Sequence, residues 1–414
     1  MQQFSRSDYD KLLQEYQGYK DMGLKLDMSR GKPSKAQLDI SNGLLDVLNS
    51  SSNLMGNIDY RNYGDLDGIP EAKALFAELA GVETNEISIF GNSSLNIMYD
   101  TFQRAMQFGV LGGVPFNKQG KIKWLCPVPG YDRHFAICEL FGVEMINIPT
   151  DNNGPDMDMV EKLVSSDESI KGIWCVPKYS NPEGIVYSDE VVDRFAHLKP
   201  KAKDFRIYWD NAYMVHYVSE EVKLKNLYNT AKACGNEDIV YMFGSTSKIT
   251  FGGGGVAFMV ASEKNLKAII ALMSKQTIGY DKINQLAHVR FFKNKEGVMN
   301  QMAKHAELMK PKFEAVLNIL GEELTDLATW VNPKGGYFVS CNLPVGTAKR
   351  TIALAKEAGV KFTDAGATYP YHNDPNDSNV RIAPSFPPVE ELVIAMKVFC
   401  CAAKIAYCEK IFNK

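Results

Sequence analysis

The chain has 414 residues, of which 45% are hydrophobic and 23% charged, as is typical of a globular protein with a sizeable core. Its length suits one large domain and a smaller one, and its composition excludes a collagenous or disulfide-scaffold protein. With 46 basic and 49 acidic residues, the formal charge of -3 gives no reason to expect a nucleic-acid partner.

The eight cysteines form no C-x-x-C pair and have no zinc-ligand spacing with histidine, so we interpret them as reduced thiols and expect no metal. The amino terminus, MQQFSRSDYDKLLQEY, lacks the basic start and apolar stretch of a secretory signal. Lysines interrupt the apolar segment 391–412 before it reaches the length of a membrane span. We therefore expect a cytoplasmic protein with no membrane partner.

From about Ile87 onward, short apolar runs alternate with stretches of helical spacing, which predicts an α/β fold with a mostly parallel central sheet flanked by helices. The predicted strands of this sheet are residues 87–90, 123–126, 143–148, 172–176, 206–209, 239–243 and 256–260. A long helical stretch follows over residues 263–320, and we expect it to bridge two lobes.

The rest of the chain predicts a smaller α+β unit, with strands at 336–342, 360–362 and 380–383 and a terminal helix. We expect a large domain over residues 61–300 and a small domain over 301–414, which residues 1–60 join.

Polar groups follow several of the predicted strands at the point where each strand ends. They are Gly91-Asn92-Ser93-Ser94, a segment that ends in Tyr131, Asn181-Pro182-Glu183-Gly184, Asp210-Asn211-Ala212-Tyr213 and Ser245-Thr246-Ser247-Lys248. Ligands of open α/β sheets bind outside the carboxyl ends of the strands, so these groups predict one shared site.

Lys248 stands between hydroxyl residues and a glycine run rather than in a charged segment. A partly buried lysine with a lowered pKa can form a Schiff base with an aldehyde. The turn formed by Asn92, Ser93 and Ser94 opens a helix, where backbone N–H groups and hydroxyls suit a phosphate, and Ser245 adds a hydroxyl. An aldehyde cofactor with a phosphate is implied, and pyridoxal 5'-phosphate has both groups.

The remaining strand-end residues fit the ring of that cofactor. Asp210 would keep the ring nitrogen protonated, and Asn181 and Tyr213 would donate hydrogen bonds to the phenolic oxygen. Tyr131 offers an aromatic face for stacking. Each motif alone has an ordinary interpretation, as a surface lysine, a turn or a helix cap, so the hypothesis depends on their combination.

In combination, the motifs resemble those of fold-type I pyridoxal-phosphate enzymes of the aspartate aminotransferase superfamily, over residues 30–385. The resemblance implies that Lys248 is the Schiff-base lysine of an S-x-S-K motif whose Ser245 and Ser247 contact the cofactor. It also implies that Asp210, Tyr213 and Asn181 bind the cofactor, Asn181 lying within reach of substrate as well. Arg381, within the segment NVRIAPS, would bind the substrate carboxylate.

Three further segments, RGKPS, GNSSL and STSKITF, resemble a divergent bacterial branch called type Ic aspartate aminotransferases. The resemblance places Gly31 in a loop over the substrate carboxylate. Tyr63 matches a tyrosine that reaches the cofactor phosphate of the neighbouring subunit, which implies a homodimer with shared active sites. Aspartate and 2-oxoglutarate are the expected substrates.

One position departs from the family pattern, because Val256 stands where many relatives carry an arginine that pairs with the phosphate. Backbone N–H groups of residues 252–255, with the nearby serines, are the expected substitute. Three residues are candidates for binding a distal substrate carboxylate, Arg30, Lys32 and Lys178. The ordinary interpretation of each is a solvated charge on the surface.

Other functions remain as alternatives: an alanine-type or aromatic-type aminotransferase, a β-lyase, or a ligand-sensing module of a transcription factor. The last would need a DNA-binding domain, for which the residues before Tyr63 are too few and too acidic. The absence of H-E-x-x-H and of G-x-G-x-x-G after the first strand argues against a metal hydrolase and a dinucleotide enzyme.

Overall fold

The computed structural model describes residues 4–412 of the chain. The helices are α1 (Arg6–Asp21), α2 (Lys35–Asp39), α3 (Pro70–Ala80), α4 (Ser94–Phe108), α5 (Asp132–Leu140), α6 (Met157–Ser166), α7 (Asp189–Ala196), α8 (Leu227–Ala233), α9 (Glu263–Met273), α10 (Lys282–Phe292), α11 (Lys295–Leu324), α12 (Ala348–Glu357) and α13 (Val389–Phe412). The strands are β1 (Leu26–Asp27), β2 (Ile87–Ile89), β3 (Lys123–Val128), β4 (Glu144–Asp151), β5 (Gly154–Pro155), β6 (Ile170–Cys175), β7 (Arg206–Asp210), β8 (Val240–Ser245), β9 (Ala257–Val260), β10 (Thr329–Trp330), β11 (Val339–Asn342), β12 (Val360–Lys361) and β13 (Asn379–Ile382).

The central sheet has the order β2-β9-β8-β7-β6-β3-β4-β5. Strands β8, β7, β6, β3 and β4 are parallel, whereas β9 is antiparallel to both of its neighbours and the short β5 is antiparallel to β4. The predicted mostly parallel sheet is confirmed. Because β2 runs in the same direction as β8, the carboxyl ends of β2, β3, β6, β7 and β8 share one edge.

Large side chains fill both faces of this sheet. On one face Phe102 of α4 packs against Trp124, with ring centres 4.8 Å apart, and Trp174 packs at the same distance from Tyr208. On the other face α3 contributes Phe76, which stacks on Phe258 of β9. The central strand β7 is buried along its whole length. The sheet is therefore a rigid support for the residues at its edge.

A second unit contains the antiparallel sheet β10-β11-β13 and the helices α11, α12 and α13. The first helix, α1, packs against α13, and the Tyr16 hydroxyl donates a hydrogen bond to the Leu354 carbonyl at 2.9 Å. Strand β1 pairs with β12. The amino-terminal segment thus packs with the carboxyl-terminal elements, while the domain boundaries near residues 60 and 300 stay a prediction.

The expected long helix over residues 263–320 is wrong, because α9, α10 and α11 occupy this stretch. Each helix begins after a side chain that accepts a hydrogen bond from a backbone N–H three residues later: Ser262, Asp281 and Asn294. These N-caps fix the starts of three separate helices. Pro311 lies inside α11 without ending it, and α11 packs along α13.

Within residues 4–412, none of the helices combines the length and the hydropathy needed to cross a membrane.

Gly172 lies in β6, where an added Cβ would be 2.4 Å from the Trp124 ring and 2.7 Å from the Arg206 carbonyl oxygen. We expect Gly172→Ala to lower the free energy of unfolding by about 1–3 kcal/mol, as overpacking of a core does. Urea denaturation measures this change. Gly18→Ala is the control, because an added Cβ there meets no atom of the described residues within 4 Å and alanine favours the helix α1. Equal stability of the two variants would contradict the packing described above.

Candidate active site

A cavity of about 470 Å³ opens at the carboxyl-terminal edge of the central sheet. It gathers most of the site residues that the sequence predicts, from loops and strand ends far apart in the chain. Those that line it are Gly31, Ser93, Ser94, Tyr131, Asn181, Asp210, Tyr213, Ser245, Ser247, Lys248 and Arg381. The second unit supplies Arg381 from β13, so the cavity is built from both parts of the fold.

Lys248 follows β8 and is half-buried in the wall of the cavity. Removal from water lowers the pKa of its amine, while the negative charge of Asp210 acts in the opposite direction. A lowered pKa increases the neutral, nucleophilic fraction of the amine. Its nitrogen lies 4.7 Å from the centre of the Tyr213 ring, which attracts the ammonium form.

Hydrogen bonds from three other segments hold the backbone around Lys248. The Tyr337 hydroxyl donates to the Lys248 carbonyl at 3.3 Å. The next carbonyl, of Ile249, accepts from His305 Nε2 at 2.9 Å and from the Ser41 hydroxyl at 3.2 Å. These contacts fix the backbone position from which the amine projects.

Asp210 ends β7 and is 3% exposed. Its Oδ2 lies 3.1 Å from Nε2 of His134, whereas the buried Oδ1 has no hydrogen-bond partner among the described residues. Buried carboxylate oxygens are normally paired, so this oxygen fits a cationic N–H of a bound ring. A bound pyridoxal phosphate therefore suits the residues present.

His134 is a site residue that the sequence did not reveal. Its ring stacks on Trp174 with centres 4.4 Å apart, and the Tyr131 ring meets it edge to face at 4.9 Å. These contacts hold the imidazole against Asp210. The available signal was the position of His134 three residues after Tyr131, near the start of a helix that opens at a strand end.

Another part of the cavity wall is rich in hydroxyl groups. Helix α4 begins there, and its N-cap Ser93 makes no side-chain capping bond, which leaves that hydroxyl available to a ligand. Ser245 donates to Ser247 at 3.2 Å, and Ser247 donates to the Asn92 carbonyl at 2.7 Å. Hydroxyls beside the amino-terminal end of a helix suit a phosphate group.

Two predicted residues lie outside this cavity. Asn92 lines a separate cavity with Gly253, Gly254 and Gly255, and it supports the site only through its carbonyl bond with Ser247. Tyr63 is 82% exposed on the surface. Neither residue reaches the cofactor-sized cavity of its own chain.

Val256 is buried, and Thr246 holds it through two hydrogen bonds, so it lies away from the cavity. Glycines 252–255 are not among the residues that line the active-site cavity, and the expectation that their N–H groups replace the missing arginine stays a prediction. An added Cβ at Gly255 would lie 3.0 Å from the Ser247 nitrogen, so Gly255 packs against the backbone of Ser247. The serines and the start of α4 do line the cavity and suit a phosphate.

Arg381 lies in the middle of β13 and is 7% exposed. Its Nη1 donates to Asp132 Oδ1 at 2.8 Å and to Asn181 Oδ1 at 3.2 Å. The guanidinium lies 5.0 Å from the centre of the Phe338 ring. Gly31 packs on the same ring so closely that an added Cβ would be 2.3 Å from it, which explains the glycine there.

The three candidates for a distal carboxylate have different environments. Lys178 is buried, pairs with Glu221 at 3.4 Å and does not line the cavity. It is therefore neither a surface charge nor a cation of the cavity. Lys32 lies 3.9 Å over the Phe386 ring, outside the cavity lining. Arg30 lines the cavity, as does Arg133, which the sequence did not single out, and neither side chain has an ion-pair partner in the described chain.

Comparison with known proteins agrees with this geometry. The family model for aspartate amino-transferases matches residues 3–414. This chain belongs to that family. An aspartate aminotransferase from Corynebacterium glutamicum is 43% identical over 410 residues, which are 98% of this chain and 95% of the relative. The protein is thus a transaminase that uses pyridoxal phosphate, and the resemblance inferred from the sequence is confirmed.

Solved structures give the same result for the fold. The crystal structure of an aspartate transaminase from C. glutamicum superposes with a TM-score of 0.95 at 43% identity, covering 97% of this chain and 96% of that one. An alpha-aminoadipate aminotransferase from Thermus thermophilus, complexed with N-(5'-phosphopyridoxyl)-L-leucine, has a TM-score of 0.77 at 20% identity, covering 96% and 95%. The predicted fold type I is confirmed.

Proposed function

We propose that this enzyme transfers the amino group of aspartate to 2-oxoglutarate, with Lys248 as the residue that carries the cofactor. The observation that carries the proposal is the convergence, in one cavity, of Lys248 with Asp210, whose Oδ1 has no hydrogen-bond partner among the described residues. Similarity to an aspartate aminotransferase over nearly the whole chain supports the choice of substrates.

Each end of the cavity would hold one part of the cofactor. Ser93, Ser94, Ser245 and Ser247 would bind the phosphate, and Asp210 would pair with the ring nitrogen. Tyr131 would cover the ring face. Bound pyridoxal phosphate supplies an aldehyde carbon for the amine and a protonated ring that accepts an electron pair from the substrate Cα.

Asn181 and Tyr213 would donate to the phenolic oxygen of the cofactor. The side-chain oxygen of Asn181, Oδ1, accepts a hydrogen bond from Arg381 Nη1. The side-chain N–H₂ of Asn181 has no hydrogen-bond partner in the described chain. Burial raises the pKa of Tyr213, so its hydroxyl keeps its proton and remains a donor. Both residues therefore present neutral donors, as a negatively charged oxygen requires.

Lys248 would also move the proton of the reaction. Its neutral amine would act as the base that takes a proton from the substrate Cα, and the resulting ammonium would be the acid that gives the proton back. The Tyr213 ring, 4.7 Å from the nitrogen, stabilises the ammonium form between these transfers.

For the substrate, Arg381 would bind the α-carboxylate, with Gly31 in the loop over it. Arg30 and Arg133 are exposed cations on the same cavity with no carboxylate partner in residues 4–412, so we propose them for the distal carboxylate of aspartate and 2-oxoglutarate. Two cations at the rim favour dicarboxylic substrates over alanine or aromatic amino acids.

We also propose that the active unit is a cytoplasmic homodimer. Tyr63, Leu45 and Ile278 are large side chains exposed by 82%, 69% and 61%, and all lie near the start of α10, where a second copy would cover them. There Tyr63 would reach the partner's cofactor phosphate.

The eight cysteines, all in the described chain, are free thiols, which fits a reducing compartment.

We expect Lys248→Ala to abolish covalent attachment of the cofactor and to lower turnover at least about 1000-fold, because both attachment and proton transfer are lost. Borohydride reduction followed by peptide mass mapping measures the attachment. Lys312→Met is the matched control. Lys312 lies outside the cavity, and burial lowers its pKa to about 8. A reduced adduct on another lysine, or near-normal turnover, would refute the role of Lys248.

We expect Arg381→Lys to raise KM at least about 30-fold, and by a similar factor for each amino acid and oxo acid tested. Lysine cannot reproduce a planar two-pronged contact with the α-carboxylate that all of these substrates share. Steady-state kinetics with aspartate, glutamate and alanine measures the effect. Arg350→Lys, at a surface pair with Glu409, is the control. A loss confined to dicarboxylic substrates would place Arg381 at the distal carboxylate, and Arg30 would then be tested for the α-carboxylate.

A further inference from the structure

The cavity contains a carboxylate that the catalytic scheme above does not use. We propose that Asp132 competes with the substrate α-carboxylate for Arg381, and thereby sets the affinity of the site for every amino acid and oxo acid. The proposal rests on the function proposed above, because it takes Arg381 as the α-carboxylate ligand.

The contact between the two residues is direct. Asp132 Oδ1 accepts from Arg381 Nη1 at 2.8 Å, and Asp132 is the only carboxylate paired with this guanidinium in residues 4–412. The remaining donors are weakly used: Nη2 lies 3.4 Å from the Thr363 hydroxyl, and the buried Nε has no partner among the described residues. The guanidinium therefore has donors that a better-oriented anion could use in place of Asp132.

The two side chains differ in their access to water. The side chain of Arg381 is 8% exposed and that of Asp132 is 29% exposed. A buried guanidinium needs an anion beside it, because an unpaired buried charge is strongly unfavourable. Asp132 can be hydrated when it turns away, whereas Arg381 cannot. The aspartate is thus the partner that gives way.

Asp132 also has a second favourable environment close by. It is the first residue of α5, and its only side-chain hydrogen bond within residues 4–412 is the one with Arg381. A negative charge in the first turn of a helix interacts favourably with the helix dipole and its free N–H groups. Asp132 can therefore leave the guanidinium without losing all electrostatic stabilisation.

Competition follows from the charges. Two carboxylates on one guanidinium repel each other, so the arriving α-carboxylate gains its contact with Arg381 only as Asp132 loses one. Since the α-carboxylate is common to all substrates and products, the free-energy cost of displacing Asp132 from Arg381 is also common to them. Asp132 therefore weakens binding of substrate and product alike and favours product release.

The test uses succinate, a dicarboxylate without an amino group, titrated into the holoenzyme by isothermal calorimetry. We expect Asp132→Asn to lower the succinate Kd at least about threefold, the size of a partly exposed ion pair. KM for aspartate and for 2-oxoglutarate should fall by a similar factor. Asp132→Ala, which removes the acceptor as well as the charge, should tighten binding too and gives an independent result if the asparagine variant folds poorly.

Asp364→Asn is the matched control, because Asp364 is an exposed carboxylate on the same cavity that is not among the hydrogen-bond or ion-pair partners of Arg381 in the described chain. The change in succinate Kd of Asp364→Asn measures the general loss of negative charge from the cavity. The change in Kd of Asp132→Asn must be larger. An unchanged Kd, a change no larger than that of Asp364→Asn, or weaker succinate binding would overturn the proposal. The last result would mean that Asp132 orients Arg381.

Failure of the proposed function gives a different result. If the wild-type enzyme transaminates but Asp132→Asn does not tighten succinate binding, the competition is wrong and the proposed function stands. If succinate binding tightens but aspartate and 2-oxoglutarate are not substrates, the competition stands and the proposed substrates are wrong.

Discussion

The active site depends on one buried charge, the carboxylate of Asp210 at the end of the central strand β7. A buried carboxylate is costly unless its oxygens are paired, yet only one oxygen has a partner, His134, in the described chain. The strand is buried along its whole length, and this packing holds the carboxylate in place. The same strand pairs with β6 and β8, whose ends lead to Asn181 and Lys248, so the sheet that fixes the charge also fixes the groups around it.

The second unit completes the site by supplying a cation to a cavity that the sheet builds. Arg381 is held by Asp132 and Asn181, both from the sheet side, and by the Phe338 ring from its own side. Gly31 closes on the same ring. The residues proposed for substrate thus lie where the two parts of the fold meet, while those proposed for the cofactor lie at the edge of the sheet. This division explains why one cavity presents Lys248 and Arg381 at once.

Motifs at strand ends made the fold predictable from sequence, together with the gathering of most candidate site residues in one cavity. Lys248 and Asp210 were singled out because each follows an apolar run, and the parallel sheet brings such ends together. Residues whose role depends on tertiary contacts were not found: His134 and Asp132 lie in α5, and only the folded chain places them against Asp210 and Arg381. The breaks between α9, α10 and α11 were missed because the apolar spacing continues across them. The N-cap residues Asp281 and Asn294 start new helices at these points.

The most direct test of this account is the activity of holoenzyme in which Asp210 is replaced by asparagine. The amide keeps the shape of the side chain but cannot hold a proton on the ring nitrogen, so the electron-accepting capacity of the cofactor falls. We predict that Asp210→Asn retains bound pyridoxal phosphate, measured by its visible absorbance, and loses at least about 100-fold in transamination rate. A variant that retains the cofactor and works within a few-fold of the wild-type rate would contradict the account.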